Sequence, residues 1–356
     1  MSRAVRVRQA RLLQATLSLT LVVAIFVFVL PQVADVSDVR SEIAAMSGVE
    51  VTLLVVVALW NLATYALVWM AGLPGLSFPQ GSVAAEASTA VANTVPGGSY
   101  LAVGLTYTML HSWGFRRSMV TLALLVTGLW NNFAKLALPV LALVLLAITG
   151  DADAGRVVAG LLGIVGLVGA VVVFSLALRS EVAAARFGIL AQRMASWVLH
   201  LVHRPPATGW DIAVTRFRTR TIGLVRARWH ILTVVTLVSH LSLFLVLLVA
   251  LRAVGVPASD VSWIEALAAF AFTRLVTAIP LTPGGLGVVE LALTGALVGA
   301  GGDRSQVVAA VLVYRSLTFL PPIPIGVGCY IFWRCNRSWR RTPVASDDAG
   351  SVVQPA

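Results

Sequence analysis

Charge, lysine and cysteine are all scarce in this sequence. Only 12% of its 356 residues are charged, against 58% hydrophobic, and the mean hydropathy is +0.91. A soluble domain carries about 25% charged residues, so a water-covered surface of ordinary composition is excluded. The 26 basic residues include a single lysine, Lys135, and the only cysteines are Cys329 and Cys335. Lying near the end of the last apolar segment, these two read as small apolar side chains and imply no disulfide framework. Long polar stretches are missing as well. The longest, about 179–229, is too short and too arginine-rich to build a core of its own. Enzyme signatures are absent: no P-loop, no His-Glu-x-x-His helix, no Gly-x-Ser-x-Gly elbow, no Cys-x-x-Cys pair. His200 and His203 have helical spacing for a metal but no further ligand nearby. No catalytic residue, metal or other cofactor is therefore expected.

What the sequence has in abundance is apolar length. Six segments, about 12–31, 50–71, 118–149, 156–178, 230–252 and 305–333, reach the roughly 20 residues that cross a bilayer as helix. The first follows Arg3, Arg6, Arg8 and Arg11; it is longer than a signal-peptide core and no cleavage site follows it, so it reads as an uncleaved helix. The net charge of +11 sits in loops and tails that flank apolar runs. That is the positive-inside pattern of a membrane protein, and nucleic acid is discounted as a partner.

Loop charge then sets a topology. The N-terminus, residues 1–11, belongs inside, and the 32–49 loop with Asp35, Asp38 and Glu42 belongs outside. Region 83–111 enters and leaves on the inner side, because Arg116 and Arg117 follow it; its halves are too short to span, which predicts a re-entrant hairpin broken at Pro96-Gly97-Gly98. The 179–229 loop is cytoplasmic, and so is the tail 334–356, basic at Arg334, Arg337, Arg340 and Arg341 and then disordered. Region 262–301 must start and finish outside, either as a second hairpin or as two short spans. The expected fold is an all-α polytopic membrane protein, six full spans plus two Pro-Gly-Gly-broken hairpins, filling 12–333. Hairpins entering from opposite faces are the layout of an inverted repeat whose broken helices meet near the midplane. Within the cytoplasmic loop, Phe187, Leu190, Met194, Trp197 and Leu201 repeat at helical spacing, which fits an amphipathic helix on the membrane surface or against the protein's own loops.

Ionisable groups inside hydrocarbon are costly and mark function by default. Five are found: Glu86, Lys135, Arg274, Glu290 and Arg315. The carboxylates flank the two breaks; they either pair with the arginines to lock the bundle or frame a polar cavity. Pro283-Gly284-Gly285, with Gly287 after it, repeats the first break. Proline ends a helix and glycine lets backbone approach closely. A half-helix starting after such a break points its positive end at the gap, a seat for an anionic group. Asn93 and Thr94 before the first break, with Thr277 and Thr282 near the second, supply uncharged contacts. Asn131 and Asn132 read as helix–helix hydrogen bonds. Lys135 reads either as a counter-ion for phosphate or as a structural ion pair.

Residues 279–290, Ile-Pro-Leu-Thr-Pro-Gly-Gly-Leu-Gly-Val-Val-Glu, followed by Tyr314-Arg315-Ser316-Leu317-Thr318-Phe319 and preceded by Arg274, resemble the lysylphosphatidylglycerol synthase transmembrane-region family. The resemblance covers about 12–333. It implies a flippase-like, lipid-translocating domain of the bacterial inner membrane with both termini cytoplasmic. It also implies that the aminoacyl-transferase domain of two-domain relatives is missing here. The site it suggests joins Glu86, Asn93, Pro96, Gly97, Gly98, Lys135, Arg274, Thr282, Pro283, Gly284, Gly285, Gly287, Glu290 and Arg315. The expected partners are membrane lipids with an anionic or phosphate-bearing headgroup, with an envelope-biosynthesis protein or a second copy of the chain left open. Two other functions stay open: an accessory subunit of a lipid- or glycolipid-modifying system, and a membrane-embedded headgroup transferase.

Overall fold

A computed structural model describes residues 36–95, 98–149, 210–277 and 282–341, with 163, 165–169, 171–173, 176, 192 and 196 between them. The basic N-terminus, the expected span 12–31, most of 156–178, the amphipathic 187–201 stretch, the tail beyond 341, and Pro96 and Gly97 lie outside the described residues. Every described element is helical. In chain order these are α1 Val36–Ala44, α2 Gly48–Gly72, α3 Phe78–Thr94, α4 Gly98–Ser112, α5 Arg117–Thr149, α6 Trp210–Ala253, α7 Trp263–Val276, a 3₁₀ turn Pro283–Gly285, α8 Val288–Gly299, α9 Arg304–Phe319 and α10 Pro322–Cys335.

Four stretches among them are long and apolar enough to cross a membrane: Gly48–Gly72, Arg117–Thr149, Thr221–Ala253 and Arg304–Cys335. The chain is thus a multi-pass membrane protein. Its helices begin where side chains can satisfy the free N–H groups that a bilayer cannot. Ser47 and Glu50 form a reciprocal cap at α2, Ser77 and Gln80 at α3, and Ser262 and Glu265 at α7, while the Asp303 carboxylate accepts the Ser305 and Gln306 N–H groups at α9. On α2, Val49, Val51, Leu53, Val56, Leu59 and Trp60 stay exposed, as expected of side chains whose solvent is hydrocarbon.

The structure adds detail to three expected segments. The acidic 32–49 loop contains α1, which packs on α9. The helix that carries the 230–252 span begins at Trp210, inside the stretch read as an arginine-rich loop. Arginine sorts a segment to the cytoplasmic side but is also a good helix former, so charge there says nothing against helix. Finally, the 305–333 span is two helices, α9 and α10, parted at Leu320 and Pro321. Pro321, Pro322 and Pro324 remove successive donors and interrupt the ladder. Pro139, by contrast, sits inside an unbroken α5, which membrane helices tolerate.

The described residues fall into two compact units, Met1–Leu124 with Val235–Ala356, and Leu125–Val234. In the first, α3 is the central helix: α2, α4, α10 and the 3₁₀ turn all pack on it. Its sequence explains this. Gly81, Ala84, Ala85, Ala87 and Ala90 are buried, and small residues let helices approach closely where water supplies no driving force. A methyl on Gly81 would come 3.1 Å from the Ala66 carbonyl of α2, one on Gly98 would strike the Val91 carbonyl, and one on Gly326 of α10 would strike the Glu86 carbonyl. Around this helix lies an apolar cluster including Leu73, Val83, Met109, Leu110, Trp113 and Trp333.

Polar contacts join α2 to α6. Asn61 Nδ2 donates to Ser242 Oγ at 2.8 Å, and Thr64 Oγ1 donates to Ser239 Oγ at 3.2 Å, all of them buried. Asn61 also accepts from the Tyr65 hydroxyl at 3.0 Å. Replacing Asn61 with alanine is expected to lower stability by about 1 kcal/mol, the scale of interhelical hydrogen bonds in membranes. Thermal unfolding in detergent would read this as a lower midpoint; an unchanged midpoint would mean that the bond contributes nothing. In the second unit, Trp130 Nε1 donates to Thr233 Oγ1 at 3.0 Å, and that hydroxyl donates on to the Trp229 carbonyl at 2.7 Å.

Candidate functional site

The second break organises the site. Gly284 and Gly287 adopt φ of +57° and +81°, the left-handed region that side-chain-bearing residues enter only with strain. These turns carry the chain from the 3₁₀ turn into α8, and Thr282 Oγ1 closes the loop by donating to the Leu286 carbonyl at 2.8 Å. Glu290 stands in the first turn of α8. Its Oε2 accepts the Gly287 N–H at 2.7 Å, and its Oε1 accepts Arg315 Nε of α9 at 2.7 Å. The Arg315 fork then donates Nη2 to the Gly284 carbonyl at 3.0 Å, and the guanidinium lies 5.0 Å from the Phe319 ring centroid. Glu290 is 1% exposed and Arg315 13%. One ion pair thus fastens the loop, the start of α8 and α9 together.

The end of α3 joins this assembly. Asn93 Nδ2 donates to the Phe319 carbonyl at 3.3 Å, and a methyl on Gly284 would strike the Phe319 ring and come 2.8 Å from Asn93 Oδ1. The residues flanking the first break therefore meet the second break. This juxtaposition is the one that the paired Pro-Gly-Gly motifs point to.

The seat for an anion at the start of α8 is corrected. Glu290's own carboxylate already occupies that N-terminus, and Arg315 is the counter-ion of that carboxylate. The two groups left over are more open to chemistry. Glu86, 5% exposed on α3, has both carboxyl oxygens buried without a hydrogen-bond partner, so the expected lock between this carboxylate and an arginine is not formed. Arg274, half-buried in the last turn of α7, has a buried Nε with no partner and makes no ion pair among the described residues. Tyr65 of α2 lies within electrostatic reach of both Glu86 and Arg274, and Tyr314 of α9 lies within reach of Arg274, Arg315 and Glu290.

Among the residues expected at the site, Glu86, Asn93, Arg274, Thr282, Gly284, Gly285, Gly287, Glu290 and Arg315 belong to the first unit, as do Pro283 in the 3₁₀ turn and Gly98 at the start of α4. Pro96 and Gly97 are outside the described residues. Lys135 stands half-buried on α5 in the second unit and is not without a partner of its own. Sequence reasoning missed Tyr65, Asn61 and Gly326, and took Tyr314 and Phe319 only as part of the motif around Arg315. The hydroxyl of Tyr65 in an apolar helix was the available signal, because a buried tyrosine oxygen seeks a partner. No group of three potential metal ligands lies together among the described residues.

The family described as lysylphosphatidylglycerol synthase TM region matches residues 15–326. No curated protein matches the chain.

Proposed function

Because this chain belongs to the lysylphosphatidylglycerol synthase transmembrane-region family, we propose that it is a translocator of a lipid or lipid-linked intermediate across the bacterial inner membrane, with both termini in the cytoplasm. The observation that carries this reading is Arg274, a cation whose buried Nε is unpartnered while Arg315 is neutralised by Glu290. A guanidinium inside a membrane domain without a carboxylate is a receptor for phosphate. The broken helices leave backbone at membrane depth, which is tolerated only where protein or a polar cavity surrounds it.

The test is scrambling of fluorescently labelled phosphatidylglycerol in reconstituted vesicles, with an impermeant reductant bleaching the outer leaflet. Arg274→Gln is expected to slow translocation by about ten- to a hundredfold, the loss of one charge-assisted hydrogen bond or two, while the protein still inserts and elutes as the wild type does. Translocation at the wild-type rate in that variant would remove the assignment.

A further inference from the structure

We propose that the arginines at the shared end of α4, α5 and α10 form a binding site for anionic phospholipid of the surrounding leaflet, separate from Arg274 and occupied by lipid that is held rather than carried. This site does not rest on the translocator reading.

Two stretches far apart in sequence supply it. Arg116 and Arg117 lie at the turn from α4 to α5, and Arg334, Arg337, Arg340 and Arg341 lie at the end of α10 and beyond it. Taken singly, each stretch is an ordinary basic flank of an apolar helix. The structure joins them through a strap, 336–341, that folds the second stretch back onto the first. Asn336 starts the fold, its Oδ1 accepting the Ser338 N–H at 2.9 Å and the Ser338 hydroxyl at 2.6 Å. Trp339 then packs in T-shaped contacts on Trp113 of the α4–α5 turn and on Phe332 of α10, with ring centroids 5.8 and 5.1 Å away. The strap closes at Arg341, whose N–H donates to the Ser112 carbonyl at 3.2 Å, while Trp333 Nε1 donates to the Ser112 hydroxyl at 2.9 Å. Gly114, at φ +89°, leaves the room this needs, since a methyl there would come 2.9 Å from Arg341 Cβ.

The docked strap concentrates charge. All six arginines are exposed, and none forms an ion pair among the described residues. Two are held by neutral groups: Arg117 Nε donates to His111 Nε2 at 3.4 Å, and Arg340 Nη2 donates to the Arg334 carbonyl at 3.1 Å. Those bonds fix direction and leave the charge uncancelled. Like charges gathered at one edge repel, and a bound anion offsets that cost.

The neighbouring surface selects the anion. Val327, Tyr330, Ile331 and Phe332 of α10 are exposed just before Arg334, so the arginines border a face whose solvent is hydrocarbon. A ligand that meets both has acyl chains beneath a negative headgroup. Trp339, packed on Phe332 beside the arginines, has the place of an interfacial tryptophan, and a guanidinium at that depth forks onto a phosphate. A soluble anion would use the charge and leave the apolar border unused.

The full chain is reconstituted in phosphatidylcholine vesicles carrying a trace of spin-labelled phosphatidylglycerol or spin-labelled phosphatidylcholine, and paramagnetic resonance reads the fraction of label immobilised at the protein. The wild type is expected to prefer phosphatidylglycerol by about fivefold, the scale of one basic contact at a membrane surface. Arg337→Gln combined with Arg341→Gln, which keeps the backbone bond to Ser112, should bring the preference close to none. Trp339→Ala retains every charge but releases the strap, and should lower the preference too. No preference in the wild type overturns the proposal, and so does a preference that survives the double arginine variant; that exposed pair decides the matter where Trp339→Ala fails to fold. A preference lost with the arginines but kept in Trp339→Ala overturns the strap-built site and leaves only diffuse attraction to a basic end. Loss of the preference on adding glycerol phosphate at constant ionic strength would mark a site for soluble anions and overturn the lipid assignment. A preference lost in Arg274→Gln would put the bound lipid at the translocation site and overturn a separate one.

Discussion

Arg315→Met is expected to destabilise the protein by about 3–5 kcal/mol, the cost of breaking a buried ion pair by removing one partner. The size follows from what the guanidinium holds. Its Nε neutralises Glu290, which is 1% exposed, and its Nη2 caps the Gly284 carbonyl. Truncation leaves a carboxylate with one remaining donor, the Gly287 N–H, and a carbonyl in a glycine turn with one fewer partner. Arg315→Lys should fall between, since an ammonium can meet Glu290 but lacks the second prong that reaches the loop. Pairing Arg315→Met with Glu290→Leu separates attraction from orphaned charge. The double variant should be more stable than Arg315→Met alone, because no unpaired ion remains. Thermal unfolding of the four proteins in one detergent closes the cycle; a double variant no better than the single would place the cost in packing around Phe319 instead.

That ion pair also shows where sequence reading stops. The motif at 282–290 and the downstream Arg315 mark the site by residue type, and the left-handed glycines explain why the motif has its spacing. Which carboxylate pairs with which arginine is not written in the chain. Glu86 and Glu290 are equivalent by hydropathy, as are Arg274 and Arg315, and the choice is made by the loop geometry that turns Glu290 back onto the Gly287 N–H. The hydropathy runs at 50–71 and 118–149 foretold α2 and α5 closely, because a long apolar segment in lipid has one way to satisfy its backbone. Hydropathy marked the span at 305–333 but not the break inside it, since proline is apolar and its missing donor leaves no mark on that scale; nor did it show helix at 210–229, since charge reports the side of the membrane and not the conformation. The caps at Ser47-Glu50, Ser77-Gln80 and Ser262-Glu265 carry Ser-x-x-Glu or Ser-x-x-Gln signatures that the reading by hydropathy passed over. The closeness of α3 to its neighbours rests on its alanines and Gly81 meeting Ala66 and Gly326, and those opposite numbers are identified only by the packing.

Gly326→Val should have the second large effect, and its sign is decided by a contest. Inside a helix, glycine is worse than alanine by about 1 kcal/mol, so a side chain at an open position helps. At Gly326 the first added carbon would strike the Glu86 carbonyl and lie 2.6 Å from Ala90 Cβ, both on α3. Backbone cannot turn aside as a side-chain tip can, so α10 must move off α3, and overpacking of this kind costs about 1–3 kcal/mol, with the branched side chain at the upper end. Gly328, two positions along the same helix, supplies the control, because a methyl there would meet nothing within 4 Å. Gly328→Ala should leave the unfolding midpoint unchanged or raise it, while Gly326→Val lowers it. Displacing α10 would also open the contact that closes over Glu86 and carries Cys329, a free thiol that is half-buried. Maleimide labelling of Cys329 should therefore quicken in Gly326→Val and stay at the wild-type rate in Gly328→Ala. Equal labelling rates in the two variants would mean that α10 absorbs the valine without leaving α3, and that Gly326 is not what holds α10 over Glu86.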